Sequence, residues 1–219
     1  MSSNNFRNNN DSKFAAAEFL VWAKNRLHRV AVPNPNLRKR LSGASFVTSI
    51  DLCGAIQILC LNGSKTGAFV LLRSALENYY RGLWFAYVAD EGNMSRFLAG
   101  RESNTLKNLI KKVRDAKIAS IDPEALAGLE NKVSLLDDLA HGGIRAMNSR
   151  NLGGYEVGSS EMSENDLLIL LSMSCTTIWL CLENITRTSF ENEIEANQCR
   201  EEGSKLFKKL LDSFKVDEG

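Results

Sequence analysis

Arg73, Glu77 and Arg81 recur every four residues inside an otherwise apolar run, so on a helix they stack as a ladder along one side. A carboxylate between two guanidiniums can serve in two ways. Arg73 and Arg81 can hold an anionic ligand while Glu77 orients Arg73, or the three can close on themselves as a structural clamp. Arginine ahead of glutamate is the poorer i,i+4 order because it opposes the helix dipole, and such a pair contributes only about 0.2–0.5 kcal/mol on an exposed helix. Surface stabilisation alone therefore does not explain why these charges stand in so apolar a segment.

His141 is the second candidate. It falls at the expected end of a helix, where the dipole favours a positive imidazolium, and Gly142 and Gly143 follow it. The plain reading is a helix cap. The sharper reading has His141 facing the ladder, with Asp137 or Asp138 one turn earlier orienting a ring nitrogen. Arg73, Glu77, Arg81 and His141 then form the candidate ligand-binding set, and His141 and Glu77 are the candidate proton-transfer groups.

Other motifs fall away on spacing. Gly63-Ser64-Lys65-Thr66 resembles the end of a phosphate-binding loop, but the upstream glycine and the preceding strand are missing. His28 lies between basic residues. With two histidines and no helical His/Glu pair at metal-ligand spacing, neither a metal site nor a cofactor is expected. No serine triad or nucleophile elbow is present. Cys53, Cys60, Cys175, Cys181 and Cys199 are odd in number with no Cys-x-x-Cys spacing, which reads as reduced core thiols of a cytosolic protein.

The elements that must position these residues are helical. A long, nearly all-apolar helix is expected over 65–89, preceded over 46–61 by a second buried helix that Asn62-Gly63 ends, so the two should be antiparallel neighbours. Residues 1–12 read as a polar, disordered tail, with Asp11 or Ser12 capping a first helix to about residue 30; Pro33 and Pro35 then interrupt. Beyond residue 92 a short helix is expected over 95–99. A basic amphipathic one follows over 105–119, with Leu106, Leu109, Ile110 and Val113 on one face and Lys107, Lys111, Lys112, Arg114 and Lys117 around them.

Asp122-Pro123-Glu124 marks the start of a helix ending at His141. The 142–160 stretch is glycine-rich and has no helical period, so a long loop or small hairpin is expected between two core helices. Ser163 and Asp166 resemble a capping box opening a helix to about 187, and a charged helix closes the chain over 191–214. Together these describe an all-α, up-and-down helical bundle forming a single domain over 13–215.

Composition narrows the function classes. The chain has 219 residues, is 44% apolar and 24% charged, and has a formal net charge of +1, so no overall field points to nucleic acid or a membrane. Residues 1–43 are nonetheless basic. The polar N-terminus lacks the apolar core of a secretory signal, and the 167–182 run is shorter than the about 20 residues of a spanning helix. A buried core helix and a cytoplasmic location, with no membrane partner, are the expectation.

LLRSALENYYRGLWF, followed about sixty residues later by LLDDLAHGG, resembles a group of uncharacterised bacterial helical proteins in the HEPN-like superfamily (higher eukaryotes and prokaryotes nucleotide-binding domain). The resemblance covers roughly residues 46–182, and Arg73, Glu77 and His141 are the positions that match. It implies a helical bundle, frequent homodimers and, in many members, metal-independent RNA cleavage in toxin or anti-phage systems. That cleavage uses an arginine four to six residues before a histidine, an arrangement absent here: Arg145 follows His141. RNase activity is therefore not carried over, and whether the chain is an enzyme stays open.

Two functions are expected from these readings. The first is a bacterial helical protein, likewise homodimeric, whose polar pocket binds a nucleotide, RNA or another anionic ligand, in a defence or toxin–antitoxin setting. The second is a non-enzymatic protein–protein interaction module in which Arg73, Glu77 and His141 are a structural clamp and the basic 105–119 helix touches the partner.

Overall fold

A computed structural model describes residues 3–28, 35–118, 133–140 and 163–214. Among the described residues there are helices and connecting turns and no strands: α1 (Ser3–Leu27), α2 (Leu37–Leu61), α3 (Lys65–Tyr87), α4 (Glu91–Leu98), α5 (Leu106–Asp115), α6 (Val133–Ala140), α7 (Glu164–Thr188) and α8 (Glu193–Ser213). The all-α bundle expected from the sequence is what forms. His141, the glycine-rich 142–160 stretch and the helix start at 122–124 lie outside the described residues.

The α2–α3 hairpin is the frame. Asn62 ends α2, and Gly63 follows at φ +69°, a left-handed backbone that glycine enters without a Cβ penalty. From that turn the two helices run back along each other. Ser49 Oγ donates to the Ala75 carbonyl at 2.8 Å, the Phe46 and Tyr79 rings stand 6.2 Å apart, and Arg38 donates to the carbonyls of Phe85 and Ala89. Gly82 is what lets Phe46 lie flat on α3, since a Cβ there would meet the Phe46 ring at 2.5 Å.

α7 fills the remaining side of this hairpin. Its Ser163–Asp166 capping box forms as read, and Asp166 also pairs with Lys65 at the start of α3 at 2.7 Å. Farther along, Tyr87 donates to Asn184 at 2.9 Å, so α3 and α7 run parallel. The Gln57 amide reaches Cys175 from α2. All five cysteines are free and buried, as expected of core thiols. α2 and α7 are both long and apolar enough to cross a membrane by length and composition, yet 50% and 56% of those windows are buried within the bundle.

α1 and α8 form a second antiparallel pair laid against this core. Phe19 packs on Phe207, Trp179 stacks on Phe207, and Ser12 Oγ donates to the Ser213 carbonyl at 2.7 Å. Here the structure departs from the sequence reading. α1 begins at Ser3, within the stretch read as a tail, and Ser12 is a buried contact to α8 instead of a cap. α2 likewise starts at Leu37, nine residues before the 46 expected. Its first turns carry Arg38, Lys39 and Arg40 with few apolar residues, so periodicity there is weak, and Asn36 supplies the cap by accepting from Lys39 N–H.

Candidate functional site

α3 is buried along most of its length. Leu72, Ala75, Leu76, Tyr79, Tyr80, Leu83 and Trp84 point into the core, which leaves Arg73, Glu77 and Arg81 at its margin, each about one-fifth exposed at the side chain. Tyr80 and Trp84, which lie on the same side of α3 as the charged ladder, are buried as well. At 100° per residue Tyr80 falls on the core side of Arg73 and Trp84 between Arg73 and Glu77, so aromatic packing reaches up to the charged ladder.

The ladder forms as a continuous chain of charge-assisted bonds. Arg73 Nη1 donates to one Glu77 oxygen and Arg81 Nη2 to the other, so each carboxylate oxygen has its own guanidinium. Arg81 also reaches Asn78 Oδ1 at 3.3 Å and lies 5.9 Å from the centre of the Phe97 ring. At the other end Arg73 Nε donates to Asp137 Oδ1 of α6 at 2.8 Å. Burial works against the charge on Arg73, but the bonds to Asp137 and Glu77 and their negative charges outweigh it and raise the guanidinium above its ordinary pKa.

Arg73, Glu77 and Arg81 are thus brought together, and His141 lies outside the described residues. Asp137, considered from sequence as an orienter of His141, is instead bonded to Arg73. That contact joins residues sixty-four apart in the chain, so only the three-dimensional arrangement reveals it. Two arginines and two carboxylates balance in charge, and α6 is pinned across α3 by a charged bond. Among the described residues no group of three or more His, Cys, Asp or Glu is placed to hold a metal ion.

The basic helix α5 splits into two kinds of lysine. Leu106, Leu109, Ile110 and Val113 are buried as the spacing requires. Lys112 is committed inward: its Nζ is 2.7 Å from Asn104 Oδ1, 3.4 Å from Glu102 and 5.0 Å from the centre of the Trp84 ring. Burial alone would raise the Glu102 pKa, but hydrogen bonds from Arg96, Asn104 and Lys112 together lower it. Lys107 and Lys111, four residues apart, are exposed and make no ion pair among the described residues. Sequence grouped Lys112 with the free face, and the acceptor that removes it, Glu102, lies ten residues away outside the helical period.

No curated protein and no solved structure matches the chain. Residues 46–195, from within α2 to the first turn of α8, match the family of unknown function DUF6988. That is more than half of the sequence, and the protein belongs to this family.

Proposed function

We propose that this protein is a cytosolic, non-enzymatic interaction module of HEPN-like descent. In this reading the Asp137–Arg73–Glu77–Arg81 chain is its structural clamp, and the outer face of α5 engages an acidic protein segment. One contrast carries the reading. The cation best placed in the ladder, Arg73, is occupied by two carboxylates from two helices, whereas Lys107 and Lys111 stand exposed on α5 without an ion pair among the described residues. An arginine already bonded at both edges must give up a charged bond to accept a ligand, while exposed lysines need only shed water. Lysines four apart on a helix also match carboxylates four apart on a partner helix.

A second reading is supported by the ladder's partial exposure: an anionic ligand such as a nucleotide or RNA held by Arg73 and Arg81, with His141 alongside. One set of titrations separates the two. A glutamate-rich helical peptide and a short single-stranded RNA are titrated by fluorescence anisotropy into the wild type, Lys107→Glu/Lys111→Glu and Arg73→Ala. The interaction reading expects peptide binding that falls at least about tenfold in the α5 variant, weakens with salt and survives Arg73→Ala. RNA binding that Arg73→Ala abolishes and the α5 variant leaves intact would transfer the site to the ladder.

A further inference from the structure

α2, α4 and α5 end in the same way. Each passes through a cap, Asn62, Ala99 or Ala116, into a residue of left-handed backbone. The N–H of that residue donates to the third carbonyl before it: Gly63 to Cys60 at 3.2 Å, Gly100 to Phe97 at 2.9 Å and Lys117 to Arg114 at 3.0 Å. Glycine takes φ +69° at the first two ends without steric cost, whereas Lys117 holds φ +50° with a Cβ. Among the described residues it is the one non-glycine residue at positive φ.

The helix dipole does not account for a lysine there. α5 already carries Lys112 and Arg114 in its last turn. α4 has Arg96 in its last turn, α2 has no basic residue there, and both take glycine nevertheless. Nor is Lys117 held by the fold: it is exposed, and its ammonium makes no hydrogen bond or ion pair among the described residues. Backbone strain kept where no internal contact offsets it points to a task for the side chain.

Lys107 and Lys111 are exposed and uncommitted in the same way, and Lys117 follows about 9 Å past Lys111 at the helical rise. Between them stands Asp115, 57% exposed at the side chain and bonded to Arg114 at 3.4 Å. The outward charges of residues 107, 111, 115 and 117 therefore run plus, plus, minus, plus.

We propose that Lys117 is the specificity-determining residue of the α5 docking face, a third anchor that selects an acidic helix with carboxylates at i, i+4 and i+11 and none at i+8. The proposal rests on the interaction reading of α5. Positions i, i+4 and i+11 share one face and span about 16 Å, against about 15 Å from residue 107 to residue 117. A carboxylate at i+8 would meet Asp115 and be repelled. Lys107 and Lys111 alone accept any acidic pair four apart, so discrimination among acidic helices falls to the third cation and the gap before it.

The test is a cycle of two peptides and two proteins, read by fluorescence anisotropy. One helical peptide carries glutamates at i, i+4 and i+11, and the other has glutamine at i+11. Lys117→Gly is expected to weaken the first peptide about three- to tenfold and the second less than about 1.5-fold. It should also raise Tm by about 2 °C, because glycine relieves the backbone. Lys117→Arg should keep the preference for the first peptide without that gain. Lys117→Gly weakening both peptides equally, or neither, overturns the role of Lys117. It leaves the α5 reading in place where Lys107→Glu/Lys111→Glu still loses both peptides. A wild type that binds neither peptide overturns the α5 reading and the role of Lys117 with it. A glutamate added at i+8 should weaken the first peptide; tighter binding overturns the proposed spacing.

Discussion

Arg73 is held from two sides, and its partners differ in shielding: Glu77 is 19% exposed at the side chain and Asp137 41%. Removing the arginine strands Asp137 and leaves Glu77 with Arg81 alone. Arg73→Ala is therefore expected to cost about 2 kcal/mol, between the 0–1 of an exposed pair and the 3–5 of a broken buried one, or about 6 °C in Tm. Asp137→Asn should cost less than about 1 kcal/mol, because its amide oxygen still accepts from Arg73 and its more exposed carboxylate has water as an alternative partner. Thermal melts of both variants check the order. Equal losses would mean that the contact to α6 dominates over the contact within α3.

The thiols give a second test at this scale. Burial pushes Cys60 up to about 11 and Cys175 and Cys181 to about 12, with Cys53 and Cys199 raised for the same reason. At pH 8 only about one in a thousand or fewer of the Cys60, Cys175 and Cys181 groups is thiolate, the reactive form. A thiol-specific disulfide reagent should therefore find almost none of the five in the native protein and all five in guanidinium. Stoichiometric labelling without denaturant would contradict the burial of this core.

At the scale of elements, glycines inside helices separate packing from propensity. Alanine is favoured over glycine in a helix by about 1 kcal/mol. At Gly43, where nothing lies within 4 Å of an added Cβ, Gly43→Ala should stabilise by about 0.5–1 kcal/mol. At Gly82 the new methyl would strike Phe46 at 2.5 Å, and at Gly203 it would strike Trp179 at 2.4 Å and Trp22 at 2.6 Å. Overpacking there should reverse the sign and leave a net loss of about 1–2 kcal/mol, with the three melts ranked Gly43→Ala above wild type above the other two.

Asp166 joins two elements at once, as the third residue of α7's capping box and as the partner of Lys65 on α3. Burial opposes its charge, but Lys65 and Ser163 prevail and lower its pKa. The stabilisation is thus complete above the unfolded-state value of about 3.9 and is lost as pH falls through the lower folded-state value. Asp166→Asn should lower stability at neutral pH by about 1 kcal/mol and flatten the decline below about pH 4. An acid titration of stability with unchanged slope in the variant would place that decline on other carboxylates.

Local chemistry of this kind was readable in advance. Ser163 with Asp166, Asn62 with Gly63, and the i,i+4 ladder all act within one turn of helix. What escaped the sequence acts between separate elements: Arg38 capping the end of α3, Asp137 taking Arg73, and Glu102 of the connector before α5 taking Lys112. Their spacings carry no period for a single helix to display.

At the scale of the whole molecule, two layers of different cohesion are stacked. α2, α3 and α7 interlock through side chains with almost no exposure, among them Phe46, Ile56, Leu72, Leu83, Leu170 and Ile178. The α1/α8 pair buries Phe19 fully, but its Trp22 and Phe207 and the Trp179 of α7 against which they pack remain partly exposed. The ion pairs along that seam, Arg26 with Glu202 and Lys209 with Glu18, are open to water and contribute little. The family match, beginning at residue 46 and ending at 195, covers the interlocked layer and leaves α1 and most of α8 outside it. A layer with fewer large, fully buried side chains and with water-exposed ion pairs should open before the layer beneath it, as a cooperative unit of lower stability. In native-state hydrogen exchange, amides of α1 from residue 14 and of α8 should therefore exchange together. Those of α2, α3 and α7 should follow at distinctly higher free energy. A Phe207→Ala substitution, which removes the ring that Phe19 and Trp179 share, should accelerate exchange in α1 as much as in α8 while leaving α3 unchanged. Uniform acceleration across all five helices would instead show that the two layers unfold as one.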